Sequence, residues 1–415
     1  MDRIIKHNSF ADRLGLLWIG LGIYCIGYAQ TDYVMLGMIG NLLNHIMPIG
    51  TLLIFLSLFT SLRPSEIQRT RTAWILIGCL LFWHIFMVFR YDPEDMLAPI
   101  VYADPYSYTV YLFALVLLIP PVPLVQSYFR ISRWLILIGI PLMLIPLFLY
   151  ATHGALQFCF EGYLAAGGLI LMTSKYHKKE LLWLAFAGLF VAFLIATIKA
   201  RRNLMATTML YLLGGAYMMI FRGKKMNRST QILLIMSGIS CALIAAAVFM
   251  LNQHGIFSTI SERAGDNTRD YVFLLFFWDM LKTPLDIIIG RGIRGGHECI
   301  GVDESGDGIR YAVENGYLQM MLKGGVIYIL LILATHITAI KKAWSSKNQL
   351  CQASVIIIAV QLFDMLPFGL HAASAKTFII WMCVSICLCP ALCNKSDEEL
   401  MKELTEKQLK LPKWE

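Results

Sequence analysis

Long apolar runs, separated by short polar segments, follow one another along almost the whole chain. A helix that crosses the hydrocarbon core of a bilayer needs about 20 mostly apolar residues, and twelve runs in this sequence approach that length. The pattern predicts an all-α polytopic integral membrane protein with about 12 transmembrane helices. The predicted spans are residues 14–30, 44–62, 73–89, 107–128, 134–152, 157–173, 181–198, 203–221, 231–251, 314–338, 350–368 and 374–393.

The polar segments divide the chain into four parts. Residues 1–251 hold predicted transmembrane helices 1 to 9, and residues 314–393 hold helices 10 to 12. Between them, residues 252–313 form one large loop, and a loop of this length is usually functional. Residues 394–415 are highly charged and are expected to form a short helix or a disordered tail.

The large loop contains two local signals of its own. Asn267 is a helix N-cap residue with a carboxylate three positions later, and an apolar run follows at residues 271–281. This pattern predicts a helix too short to span, so we expect it to lie at the outer membrane interface with Trp278 at headgroup level. Residues 290–296, with the sequence GRGIRGG, predict a tight turn with an exposed backbone.

Composition and charge agree with a membrane protein and give its orientation. Hydrophobic residues make up 58% of the chain and charged residues only 15%, against about 25% charged in an average soluble domain. Lys and Arg outnumber Asp and Glu by 35 to 27, and the basic residues concentrate in alternate loops and at both ends of the chain. Because such segments stay cytoplasmic, both termini are expected on the cytoplasmic side. This explanation of the net charge leaves no reason to expect a nucleic-acid partner.

One group of basic residues, mostly arginines, does not obey this loop rule. Arg201 and Arg202 lie between spans seven and eight, on the predicted outer side, with almost no loop to carry them. The large loop adds Arg269, Arg291 and Arg294 on that same side. A guanidinium presents a fixed fork of donors that suits bidentate binding of phosphate oxygens. The cluster therefore predicts a phosphate or diphosphate ligand.

The arginines of the loop also have a purely structural interpretation. Arg263, Arg294 and Arg310 lie among several Asp and Glu residues of the same loop, with which they could pair and so fold it. Ion pairs of this kind are common and weak. Arg201 and Arg202 have few acidic neighbours in the sequence, so a ligand remains the better explanation for that pair.

Polar side chains recur at the start of predicted span ten. If the helix begins at about Glu314, then Asn315, Gln319 and Lys323 follow at four-residue spacing and form one stripe. Such a stripe faces protein or water rather than lipid. Glu314 is a candidate acid at its outer end, and Asp364 in span eleven is either a partner of Lys323 or a second acid. The alternative is that these groups only form hydrogen bonds between helices.

The sequence gives no sign of a bound cofactor or metal. It has no phosphate-binding loop, no dinucleotide fingerprint and no paired metal motif. His297 and His371 are single histidines without the ligand spacing that a metal site requires. The energy for any reaction is therefore expected to come from an activated substrate.

Two blocks of the sequence resemble a known family. One is AlaArgArgAsnLeuMetAla at 200–206, and the other runs from Arg269 through 284–295 to GluAsnGlyTyrLeuGln at 314–319 and the glycines at 324 and 325. Together they cover about a fifth of the chain. They resemble the O-antigen polymerase and O-antigen ligase superfamily of bacterial inner-membrane glycan-assembly proteins.

The resemblance implies a substrate and a set of roles. The family acts on glycans carried on undecaprenyl diphosphate, and its outward arginines are thought to hold the diphosphate. Where the ligase pattern has a His before Asn-x-Tyr/Phe-Leu, this chain has Glu314, which we take as the catalytic general base. The proposed diphosphate-binding residues are Arg201, Arg202, Arg269, Arg291 and Arg294. The supporting residues are Asn315, Gln319, Lys323 and Asp364.

The expected function is that of a surface-polysaccharide polymerase. It would transfer a lipid-linked glycan onto the acceptor sugar of another lipid-linked repeat by metal-independent inverting glycosyl transfer. The alternatives are a ligase that transfers the glycan to lipid A core and, from another class, a lipid-linked oligosaccharide flippase. The expected partners are the undecaprenyl-diphosphate-linked donor and acceptor, membrane lipid and a chain-length regulator protein. The expected location is the bacterial inner membrane, with the loop and the active site facing the periplasm.

Overall fold

The computed structural model describes residues 13–25, 46–90, 111–148, 155–198, 202–222, 268–300, 308–366 and 374–409, and most of these residues are helical. Within these ranges, four helices are long and apolar enough to cross a membrane, and five shorter apolar helices accompany them. The predicted class, an all-α membrane protein, agrees with this architecture. The number of twelve spans remains a prediction, and span 231–251 lies outside the described residues.

The elements are numbered here in chain order. The helices are α1 (Arg13–Cys25), α2 (Met47–Ser61), α3 (Arg71–Phe89), α4 (Pro121–Phe148), α5 (Ala155–Met172), α6 (Lys179–Ile198), α7 (Arg202–Arg222), α8 (Thr268–Lys282), α9 (Pro284–Ile289), α10 (Gly316–Ala343), α11 (Gln349–Asp364), α12 (Ala375–Cys387), α13 (Pro390–Cys393) and α14 (Asp397–Leu409). Short 3₁₀ helices occupy Pro64–Glu66, Phe113–Leu118 and Ser174–Tyr176. Strands β1 (His297–Glu298) and β2 (Ile309–Arg310) form an antiparallel pair with His297 opposite Arg310.

Polar caps explain where several of these helices begin. The Thr70 hydroxyl accepts a hydrogen bond from the first turn of α3, and the Asn348 side chain accepts one from Cys351 N–H at 2.9 Å in the first turn of α11. Ser374 caps α12 in the same way. Each cap satisfies a backbone donor that has no partner within the helix. The predicted helix in the large loop is confirmed as α8.

The predicted boundary between spans four and five is wrong. The sequence placed a loop around Arg130 and Arg133, but α4 runs through both residues without interruption. No Gly or Pro occurs between residues 124 and 138, so nothing there stops a helix. The break lies earlier, at Pro120, and Pro121 is tolerated because it opens the first turn of α4.

Predicted span ten is also not one continuous helix. Gly325 has φ 70° and ψ −174°, which divides α10 into two helical segments. A break of this kind removes the normal intrahelical partners of the preceding carbonyl groups. Irregular backbone at membrane depth is tolerated only where protein or water satisfies those groups.

The glycine turn after α9 supplies the missing partners. The N–H groups of Arg291 and Gly292 donate to the carbonyl oxygens of Leu322 and Lys323 at 2.7 and 2.9 Å. The indole N–H of Trp83 donates to the next carbonyl along the chain at 2.9 Å. The sequence predicted a tight turn here with an exposed backbone. The turn is present, but these two N–H groups are bound to α10 and do not face an open site.

The centre of the bundle is α12, whose thirteen residues are all buried. The outward faces of other helices are apolar instead, with Phe82 and Phe221 exposed by 67% and 69%. On α2 such residues recur along one face, at Ile49, Leu52, Leu56 and Phe59, and a soluble monomer rarely exposes a contiguous apolar stripe of this kind. Together these two features fit a bundle with a protein core and a lipid-facing exterior.

The loops that were predicted to be cytoplasmic meet at one end of the bundle. Lys175, before α6, forms an ion pair of 2.6 Å with Asp397 at the start of the tail helix. Lys342, near the end of α10, donates to the hydroxyl of Thr70. We call this the tail end of the bundle. The tail itself is a helix up to residue 409 within the described residues, one of the two forms expected for it.

Gly325→Ala and Gly290→Ala are expected to lower the free energy of unfolding by at least about 2 kcal/mol each, because a residue with a Cβ is strained at positive φ. The added Cβ would also overlap backbone atoms, of Ile288 at Gly325 and of Lys323 at Gly290. Thermal unfolding of the purified protein in detergent measures the loss. Gly78→Ala is the matched control, because nothing lies within 4 Å of a Cβ there. Equal stability of all three variants would contradict the role given to the turn.

Candidate functional site

The segments that the sequence combined into one site come together at the end of the bundle opposite the tail. In α7, the Thr207 hydroxyl donates to a carboxylate oxygen of Asp364, the last residue of α11, at 2.7 Å. Just after α11, the Leu366 carbonyl accepts a hydrogen bond of 2.8 Å from the Asn315 amide. The starts of α7, α10 and α12 and the end of α11 are therefore neighbours. We call this the loop end of the bundle.

A buried ion pair lies at the centre of the loop end. The Lys376 ammonium is 2.5 Å from Asp364, and the two residues are exposed by only 3% and 1%. The sequence gave Asp364 either Lys323 as a partner or a role as a second acid, and it did not single out Lys376. Lys323 instead donates to the carbonyl of Gly295 at 2.8 Å. A lysine two residues inside an apolar run was the signal that could have identified this pair.

Glu314 lies just outside α10 and not within it. The helix begins at Gly316, and Asn315 is its N-cap, with its side-chain oxygen accepting from two N–H groups of the first turn. The Glu314 carboxylate is 45% exposed and lies 3.4 Å from the guanidinium of Arg310. The carboxylate that was predicted to act as general base is therefore not buried. The carboxylate is instead accessible from outside.

Gln319 and Lys323 hold the loop to α10. The side-chain oxygen of Gln319 accepts from Val313 N–H at 2.7 Å, and its amide donates to the Tyr311 carbonyl at 3.3 Å. Of the three side chains of the predicted stripe, Gln319 and Lys323 are almost completely buried and Asn315 is half-buried. The stripe faces protein, as predicted, and its partners are loop backbone groups.

Arg291 is the centre of an ion-pair network inside the loop. Its guanidinium contacts Asp279 of α8 and lies 3.0 Å from Asp286 of α9, and it also donates to the Gly296 carbonyl at 2.9 Å. The Thr283 hydroxyl accepts a further bond of 3.2 Å. These acceptors occupy the donor fork that was predicted to bind diphosphate. The structural interpretation of the loop arginines therefore applies to Arg291.

The charges of this network stabilise one another. Burial alone would raise the pKa of the Asp279 carboxyl, but hydrogen bonds from Arg291 and from Glu298 N–H outweigh it and hold the pKa below its ordinary value. The pKa of Asp286 is lowered by the same balance, with Thr283 and Arg291 as donors. Both carboxylates are consequently ionised at neutral pH. A second arginine, Arg90 at the end of α3, lies 3.3 Å from Asp286 and also binds the glycine turn.

Three of the other four predicted diphosphate ligands are located only by their backbone or lie outside the described residues. Arg202 is the first residue of α7, and Arg269 is the second residue of α8. Arg201 is not among the described residues. Arg294 is half-buried in the turn that follows Arg291. Arg202 belongs to the loop end because Thr207, further along the same helix, contacts Asp364.

No protein-family model, curated protein or solved structure matches this chain. The chemistry of the loop end is therefore argued from its own groups. These are an accessible carboxylate with an arginine beside it, a buried ion pair, and one helix, α7, that begins with an arginine.

His297 is a buried histidine that the sequence analysis treated as an ordinary loop residue. It is 1% exposed, it opposes Arg310 in the strand pair, and its ring meets that of Phe276 edge-on at 5.4 Å. Burial lowers the pKa of His297 to about 4. The imidazole is therefore neutral at pH 7 and is part of the packing between the strands and α8.

Arg291→Ala is expected to lower the stability of the loop by about 2–4 kcal/mol, because it leaves two carboxylates without their main partner. Arg291→Lys should recover only part of this loss, since an ammonium cannot reproduce the planar fork. Faster limited proteolysis within residues 268–300 measures the effect. The control is Glu298→Gln, which weakens an exposed pair with Lys282, leaves Asp279 and Asp286 with their partners, and should leave the cleavage rate unchanged. Wild-type protection of Arg291→Ala would contradict the network.

Acidification is expected to loosen the loop in two separate steps. The pKa of His297 is lower in the folded protein than in the unfolded chain, so its contribution to stability is complete above about pH 6.5 and is lost as the pH falls toward 4. Asp279 and Asp286 also have lowered pKa values, and their contribution is lost only below about pH 4. Proteolysis with an acid-stable protease follows both steps. His297→Leu should remove the first step and keep the second.

Proposed function

We propose that this protein is a membrane glycosyltransferase that polymerises a bacterial surface polysaccharide. The donor would be a glycan on undecaprenyl diphosphate, and the acceptor would be a sugar hydroxyl of another lipid-linked repeat. The observation that carries the proposal is the meeting at the loop end of Glu314 and the helix start that bears Arg202. The resemblance of these two segments to the polymerase and ligase superfamily supplies the reaction class.

In the proposed reaction Glu314 is the general base. Its carboxylate accepts the proton of the acceptor hydroxyl while the hydroxyl oxygen attacks the anomeric carbon of the donor. The bond from that carbon to the diphosphate breaks, and the diphosphate leaves with the electron pair. Attack opposite the leaving group inverts the configuration. The 45% exposure of Glu314 supports this role because a base must lie within hydrogen-bond reach of its substrate.

The arginines of the loop end would neutralise the leaving diphosphate. Arg201, Arg202 and Arg269 are the main candidates, with Arg294 second, because cations fixed before the reaction stabilise charge as it develops. We exclude Arg291 from this set because its donors are occupied by Asp279 and Asp286.

The supporting residues would position the base without touching the substrate. Asn315 caps α10 directly after Glu314, and Gln319 ties down the residue just before it, Val313. Lys323 binds the glycine turn, and Asp364 joins α7 to α11 and α12. Together they fix Glu314 relative to the start of α7.

In the proposed setting the protein lies in the bacterial inner membrane with the loop end toward the periplasm and both termini cytoplasmic.

Glu314→Gln and Arg269→Ala are expected to leave the surface glycan as single repeats when they replace the native protein in a deletion strain. Loss of a general base lowers such rates about 10²–10⁴-fold. The measurement is the electrophoretic ladder of surface glycan, at matched membrane levels of each variant. Glu298→Gln, an exposed glutamate of the same loop, and Arg71→Ala, an exposed arginine of the tail end, are the matched controls.

The ladder separates the proposed activity from its two rivals. Long chains that accumulate on the lipid carrier and never reach lipid A core would favour a ligase. Absence of any exported glycan in the deletion strain would favour a flippase. A normal ladder in both Glu314→Gln and Arg269→Ala would remove the roles proposed for these residues.

A further inference from the structure

An amphipathic cleft of about 550 Å³ lies at the tail end, far from the proposed reaction. It is bounded by α4, by the segment between α5 and α6, by the first turns of α6 and by the tail helix α14. Its lining residues are Phe129, Arg133, Leu137, Tyr176, His177, Lys178, Glu180, Leu181, Leu184, Met401 and Leu404. Nothing in the proposed polymerase reaction uses this cleft.

The lining of the cleft carries a net positive charge. Arg133 and Lys178 are exposed cations, and neither has a carboxylate partner within 4 Å in the part of the chain that the structure describes. Glu180 is the one carboxylate of the described lining. Burial lowers the pKa of His177 to about 4, and its ring lies 3.0 Å from the Thr173 hydroxyl, so it adds no charge at pH 7. Two cations and one carboxylate leave an excess charge of one.

Along both walls of the cleft, a charged residue lies nearest the tail end and apolar residues lie further from it. On α4, Leu137 follows Arg133 by one turn, on the same face and further from the tail end. On the second wall, Leu181 and Leu184 follow Lys178 in the same way along α6. Leu137 is 39% exposed, so the cleft opens onto the lipid-facing surface. A cationic end at the predicted membrane boundary thus leads into an apolar end at bilayer depth.

The tail helix lines the cleft with Met401 and Leu404 and is firmly attached. Asp397 accepts hydrogen bonds of 2.6 Å from both Lys175 and the Tyr176 hydroxyl. The Gln126 amide of α4 donates to the Leu404 carbonyl at 3.1 Å, and Leu404 is itself buried. The cleft is therefore held by contacts between several elements and does not need a ligand in order to form.

Two tryptophans flank the cleft on its outer face. Trp134 of α4 and Trp183 of α6 are exposed by 58% and 46%. Each lies next to a wall residue in sequence and within a turn or two of Arg133 or Lys178. Exposed tryptophans at this height are typical of the headgroup level of a bilayer.

We propose that the cleft binds one anionic glycerophospholipid, with phosphatidylglycerol as the chemical type. The phosphate lies between Arg133 and Lys178, and the acyl chains follow Leu137 and Leu184 toward the bilayer centre. Basic pockets between helices at the cytoplasmic side are known to suit anionic headgroups. The single negative charge of this lipid matches the excess charge of the lining, whereas a zwitterionic phosphatidylethanolamine would leave that charge uncompensated.

The test is native mass spectrometry of the full-length protein released from detergent, with phosphatidylglycerol or phosphatidylethanolamine of identical acyl chains added. The wild type should retain one phosphatidylglycerol at least tenfold more than the zwitterionic lipid. Arg133→Glu combined with Lys178→Glu should abolish this preference. Arg133→Gln combined with Lys178→Gln gives a second, milder variant in case the first does not elute as a single species, and it should lose most of the preference.

The control separates a specific site from general attraction of acidic lipid to a basic surface. Arg71→Glu combined with Lys341→Glu changes two exposed cations at the same end of the bundle, outside the cleft, and should keep the preference. Equal retention of both lipids by the wild type would overturn the proposal. Wild-type behaviour of the cleft variants, or an equal loss in the control, would overturn it as well. Glycan polymerisation is not part of the readout, so the result is independent of the proposed reaction.

Discussion

The break in α10 at Gly325 is the constraint on which the loop end depends. A continuous helix would satisfy its own backbone, but the positive φ of Gly325 releases the carbonyl groups before it. Within an apolar bundle such groups must find donors nearby. The glycine turn after α9 provides them, and that turn can approach so closely only because Gly290 has no side chain. Helix and loop therefore require each other's irregular backbone.

This mutual requirement determines how the large loop is arranged. Once the turn is fixed on α10, Arg291 lies between α8 and α9 and binds a carboxylate from each. Lys323, just before the break, reaches back to Gly295. A chain of contacts then runs from a backbone break inside the bundle to the segment that precedes Glu314. Most of the polar groups along this chain serve folding, which is why charge alone is a poor guide to function here.

Much of the fold could be predicted from the sequence, because apolar run length and cap residues act locally. The spans near α3, α6 and α7 and the loop helix α8 agree with their predicted positions to within a few residues. The two wrong helix boundaries are set by a Pro and a Gly, which interrupt a helix without changing the pattern of apolar residues. Pro120 ends one segment before its apolar run is complete, and Gly325 bends a helix whose hydropathy is uninterrupted. Pairings across the fold, such as Asp364 with Lys376, depend on helix neighbours that no local pattern specifies.

The outer arginines also show that a local sequence pattern does not specify the partners of a charged group. Their number suggested a single anion site, yet the network around Arg291 shows that an arginine can be fully engaged by acidic residues 5 and 12 positions away in the chain. Glu314 and Arg310 form a different kind of pair, because one partner is 45% exposed and the distance is 3.4 Å. A pair that is partly accessible to solvent contributes less to stability than a fully buried one. In the proposed reaction the substrate meets the partly exposed Glu314 carboxylate, whereas the donors of Arg291 are already occupied. Solvent access to a charged group, and not the number of its contacts, is therefore the better guide to a candidate for the proposed chemistry at the loop end.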